Sequence, residues 1–134
     1  MSEFSMVTFL SLDGERLYEY VAEVERSGWK GMSQETVREL LMRLSKVPEI
    51  HAIYIICWAA ERRLTGTADA AIEFLRRFES SPGGRYTVMR ALGDAPDLAA
   101  RHLIELETLA ADNPDFALSY GLKELKERRG LRGP

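Results

Sequence analysis

Ile50-His-Ala-Ile-Tyr-Ile-Ile-Cys-Trp-Ala-Ala60 is apolar on nearly every side when wound at helical spacing, and it is flanked by Val47-Pro48-Glu49 and Glu61-Arg62-Arg63. A surface helix needs one apolar stripe; a helix without a polar side has to be covered by several neighbours. The stretch therefore predicts a central buried helix and, around it, a packed helical domain.

The surrounding chain is consistent with that expectation. At 134 residues it suits one domain, expected over residues 1–129 with a flexible tail at 130–134. Its 46% hydrophobic and 29% charged residues are those of an ordinary globular protein. Lysine and arginine number 18 against 21 acidic residues, for a net charge of −3, and the two halves of the chain are balanced alike. A general polyanion binder is disfavoured by that balance. The lone Cys57 has no internal disulfide partner, and its apolar setting predicts a small buried hydrophobe rather than a reactive thiol. The apolar run is interrupted by His51 and closes in three charges, too soon to span a membrane of about 20 residues' depth. The start of the chain lacks a basic segment and a long apolar centre, which predicts a cytoplasmic protein. Met6 is a second candidate start, with Ser2 to Ser5 a foreign extension.

Helix signals account for nearly every residue after Leu12, and strand-like alternation is absent, so the expected class is all-α with about seven helices. A first helix from about Asp13 to Ser27 carries Leu17, Tyr20, Val21 and Val24 and stops at Gly28. A second is capped by Ser33, buries Val37, Leu40, Leu41 and Leu44, and yields at Pro48 to the central helix, expected to run to Gly66. A fourth, capped by Thr67, buries Ala71, Ile72, Leu75 and Phe78 before Ser80-Ser81-Pro82-Gly83-Gly84 breaks it. A short fifth spans about Arg85 to Leu92. Pro96 opens a sixth, with Leu98, Leu103, Leu106 and Leu109 inward, and Asn113-Pro114-Asp115 opens a seventh carrying Phe116, Leu118, Leu122 and Leu125.

Similar helix pairs recur. Ile72, Leu75 and Phe78 match Leu103, Leu106 and Leu109 at an offset of 31, and Val37 and Leu40 match the first two at 35. Val47-Pro48-Glu49-Ile50 and Asn113-Pro114-Asp115-Phe116 share one proline opening, with Pro82 at the corresponding turn between them. At these residues, and at the helix ending Ala91-Leu92-Gly93-Asp94, the chain resembles HEAT and armadillo helical repeats over about Ser33 to Arg129. That resemblance implies an amino-terminal capping helix and three stacked hairpins in a short right-handed solenoid; an irregular helical bundle is the alternative.

Reactive constellations are sparse. His51 and His102 lie on different predicted helices, without a Cys or second His at ligand spacing, so no zinc site or other cofactor is expected. His102 shares a helical face with Glu105, the pattern of a surface contact. No serine stands in a nucleophile turn, and no enzyme is predicted. Pro82-Gly83-Gly84-Arg85 is a remote candidate for holding a phosphorylated ligand, against the plainer reading of an interhelical turn. Arg85, Arg90, Lys126, Arg128 and Arg129 are the residues a nucleic-acid-associated regulator would use. The favoured expectation is a protein-interaction module or homodimer. Stacked hairpins would gather Tyr54, Trp58 and Arg62 with Tyr86, Arg90, Tyr120 and Lys123 on the inner surface, unless Tyr54 and Trp58 complete the core instead.

Overall fold

The computed structural model describes residues 3–77, 82–112 and 115–129, and among them every regular element is helical. Phe78, Ser80, Ser81, Asn113, Pro114 and the tail at 130–134 lie outside the described residues.

The apolar stretch is helix α4, Glu49–Glu61, with Pro48 at its amino-terminal cap and His51, Ala52, Ile55, Ile56, Trp58, Ala59 and Ala60 buried. It stops five residues before the expected Gly66. The amide of Arg63 donates to the Ala60 carbonyl and that of Leu64 to Ala59, both at 3.0 Å, the reciprocal pattern that closes a helix. Arg63 takes the left-handed φ of 52°, a position usually given to glycine. What holds it there is the next residue, since Leu64 turns into the core.

Around α4 stand two layers. α3 (Gln34–Met42), α5 (Thr67–Arg77) and α7 (Ala100–Asp112) form one; α4, α6 (Pro82–Ala91) and α8 (Phe116–Arg128) form the other. Within the second layer α4 packs on α6 and α6 on α8, while α3 leans on α4, α5 on α6 and α7 on α8. The burial pattern of this layer repeats: Ile55, Ile56 and Ala59 recur as Val88, Met89 and Leu92, then as Gly121, Leu122 and Leu125, each time 33 residues on. Where Gly121 of α8 faces Met89 of α6, an added Cβ would lie 2.8 Å from the Met89 Cβ, so glycine permits that spacing.

Two helices close the α4 end of the stack: α2 (Gly14–Arg26) and the short α1 (Met6–Ser11), which lies ahead of the first predicted helix. α1 has only six residues, too few to display a period, but the Ser5 hydroxyl accepts the Thr8 amide at its start. Phe4 is buried, and its amide donates to the Lys30 carbonyl at 2.7 Å. Phe4 and Ser5 thus pack against the helices that follow, the Ser5 amide donating to the Tyr20 hydroxyl at 2.7 Å. Gly31, at φ 81°, has no room for a side chain beneath them, because a Cβ there would lie 2.9 Å from the Phe4 nitrogen.

Two helix starts differ from expectation. α6 opens at Pro82, so Gly83 and Gly84 form its first turn instead of a loop. α7 opens at Ala100 rather than Pro96, because Asp97 is committed elsewhere: its carboxylate accepts the Ala68 amide at 3.0 Å and caps α5 from 29 residues away. Thr67, expected to cap α5, lies inside its first turn and donates its hydroxyl to the Leu64 carbonyl. Among the described residues no helix is long and apolar enough to cross a membrane.

Candidate functional site

The residues expected on the inner surface divide into two groups. Trp58 is core, only 3% exposed. Its ring meets Phe4 edge-on at 5.7 Å, Phe9 at 5.1 Å and Trp29 at 5.9 Å, and stacks on Tyr54 at 5.7 Å. Trp58 therefore leaves the set of partner contacts. Its cover comes from Phe4 and α1, which the helix pattern did not reveal. Arg62 belongs with it, half-buried, donating to the Trp58 carbonyl at 3.1 Å with its guanidinium 5.9 Å from the Trp29 ring centroid.

Tyr54, Tyr86, Arg90, Tyr120 and Lys123 do reach one surface, the outer side of α4, α6 and α8. The Tyr86 hydroxyl donates to the Glu124 carboxylate, and its ring lies 6.0 Å from Tyr120. Phe116, expected in the core, is instead 78% exposed and stacks on Tyr120 at 5.2 Å with the rings 11° from parallel. It is the first residue of α8, where a helical stripe does not determine which side is covered. Ile50, the first apolar residue of α4, is likewise 47% exposed. Between α4 and α6 runs an open groove of about 340 Å³, with Cys57 and Ala60 on one wall, Tyr86 and Ala91 on the other, and Arg128 at one end.

Three ionisable groups on this surface are shifted toward their protonated forms. Burial, then the Glu61 carboxylate, pushes the Cys57 thiol up to about 11, so it is protonated and unreactive at neutral pH. The hydrogen bond to Glu124 raises Tyr86, and burial raises Tyr54. Arg85, the charged end of the proposed phosphate loop, is buried and bonded through Nε to Asp115. Lys126 pairs with Glu107 at 2.8 Å, Arg128 with Asp94 at 3.3 Å, and Arg129 donates to the Gly93 carbonyl at 3.0 Å. Of the five cations a nucleic-acid contact would use, four are already engaged within the chain.

His51 is buried, with Nε2 3.0 Å from the Phe9 carbonyl; its Nδ1 has no hydrogen-bond partner among the described residues. His102 forms an unexpected constellation. Its Nδ1 accepts the Ala99 amide at 2.9 Å, which leaves Nε2 as the nitrogen that donates to Asp69 at 2.8 Å. Glu105, the partner expected for His102, pairs with Arg76 instead. Asp69, Asp97 and His102 bring ligand atoms within 4.8 Å of one another, the separation a metal needs. Each of the three is already bonded, and Arg101 sits on Asp69 at 2.8 Å, so a cation here would have to displace a guanidinium. The cluster is a reciprocal cap: Asp97 serves the start of α5, and Asp69 orients the histidine that serves the start of α7. Sequence reading missed Asp69 and Asp97 because the bonds span about thirty residues; an aspartate just before or just inside a helix was the available signal.

This cap has a pH signature. The His102 and Arg101 bonds hold the exposed Asp69 carboxyl below its ordinary 3.8. A carboxyl depressed in the folded state contributes stability above its unfolded pKa and loses it as pH falls through the folded one. Melting temperature should therefore drop more steeply between pH 5 and pH 3 in the wild type than in Asp69→Asn, which keeps an acceptor for His102 but does not titrate. Parallel curves would contradict the assignment.

Comparison with models of known protein families, with curated proteins and with solved structures finds no match in any of the three.

Proposed function

We propose that the chain is a non-enzymatic interaction module, HEAT- or armadillo-like in its stacked helix pairs, that binds a protein partner or a second copy through the outer face of α4, α6 and α8. The observation that carries this reading is the Phe116–Tyr120 stack standing in the open beside Tyr86. Exposed aromatic rings in contact with one another form a rigid apolar platform of the kind that dominates interface energetics. The 33-residue recurrence of buried positions supports the repeat architecture, and the protonated Cys57 and fully engaged His102 support the non-enzymatic reading.

The test is site-specific photo-crosslinking in the native host. A crosslinking residue at position 120 should give discrete adducts, reduced at least several-fold by Phe116→Ala. The same residue at position 42, an 82% exposed methionine on α3 in the opposite layer, should not give them. Identical adducts from both positions, or none from either, would refute the face.

A further inference from the structure

The α4–α6–α8 face is ordered along its length. Because burial repeats every 33 residues, exposed positions of the three helices fall into rows running across the layer. The first two rows hold Ile50 and Phe116, then Tyr54 and Tyr120, with the small Gly83 and Thr87 of α6 between them. The third is basic, with Arg90 and Lys123; the fourth is acidic, with Glu61 and Glu127 flanking Asp94. Asp94 is tied to Arg128, but none of the other four charges makes an ion pair among the described residues. Glu61 and Arg90 both line the groove, yet they do not pair across it.

Building on the interaction-face reading, we infer that the partner is an amphipathic helical segment of another protein whose residues run apolar, then acidic, then basic along about three turns. The face imposes that order through its own spacing. Positions 50, 54, 57 and 61 form one helical stripe, as do 116, 120, 123 and 127, so a helix laid along α6, between the two stripes, meets the rows at matching intervals. Its apolar side chains contact Tyr54, Tyr120 and Phe116, and Gly83 lets its backbone come close. An acid two turns further on meets Arg90 and Lys123, and a base beyond it meets Glu61 and Glu127. Charges at such a rim add little affinity and mainly select the partner. The acidic row rejects a segment whose acidic run continues, and a partner with the two charges exchanged places like against like on both rows.

The experiment displays amphipathic helical peptides, randomised at two charged positions seven and eleven residues after a fixed apolar anchor, and selects binders of the full chain at low salt. Enriched clones should carry an acid at the first position and a base at the second. Exchanging the two should weaken binding at least tenfold, with the difference shrinking in 1 M salt. The block reversal Arg90→Glu, Lys123→Glu, Glu61→Lys, Glu127→Lys should invert the preference. Clones that need Phe116 but show no charge order would overturn this inference and leave the interaction face standing. Clones indifferent to Phe116→Ala, or no clones at all, would remove the face as well. A stable dimer in sedimentation whose formation excludes the clones would make a second copy the occupant and overturn the inference.

Discussion

Trp58→Ala is expected to lower the free energy of unfolding by about 3–5 kcal/mol, the usual cost of emptying a large aromatic site in a core. The value belongs toward the upper end. Trp58 is the hub of a cluster in which Phe4, Phe9, Trp29 and Tyr54 all touch its ring, and those neighbours come from three separate parts of the chain. Collapse into the cavity would require the amino-terminal segment, the Trp29 loop and α4 to shift together. For a chain of this size such a loss lowers the melting temperature by roughly 10–20 °C. Urea unfolding followed by far-UV circular dichroism measures it. A change below about 1 kcal/mol would place Trp58 at the surface.

Asp115→Ala should cost a similar amount, about 3–5 kcal/mol, through two bonds lost together. One carboxylate oxygen caps α8 by accepting the Ala117 amide at 3.1 Å, and the other accepts from the Arg85 Nε. Both partners of the ion pair are largely covered, with side chains 10% and 16% exposed, so the variant leaves a guanidinium in poor solvent. Asp115→Asn, which retains the capping oxygen, should lose less. Adding Arg85→Leu to Asp115→Ala should recover part of the loss, because the guanidinium that lost its Asp115 carboxylate leaves with it. Additive losses in the double variant would mean that Arg85 is not held mainly by Asp115.

The parts of this fold that could be read from the sequence are those fixed locally. Gly28 stops α2 as expected, with its amide on Glu25 and that of Trp29 on Val24, and Ser33 caps α3 by accepting the Thr36 amide. The all-apolar α4 was legible because a helix without a polar side has only one place to go. What escaped depends on residues far apart in the chain. Trp58 became core through Phe9, in an element too short for periodicity, and through Phe4 just ahead of it, and α5 is capped by a residue from beyond the next helix. Phe116 and Ile50 sit at helix starts, where the apolar stripe has not yet declared its side. The candidate face was half visible: Tyr54, Tyr86, Arg90, Tyr120 and Lys123 share it, while Trp58 and Arg62 seal the cluster behind.

Stacks of helix pairs tend to fray from their ends, each unit opening with some independence of the next. The cap that Asp97 places on Ala68, and the Asp69–His102 bond returned to it, remove that independence here. Losing α7 with the Asp97 segment that leads into it deprives α5 of the acceptor at its first turn, and losing α5 deprives α7 of the aspartate that aims its histidine. The second and third pairs are therefore expected to exchange their amide hydrogens as one cooperative unit. A shortened chain ending after α6 would begin life with a helix missing its cap, rather than as a smaller version of the same stack.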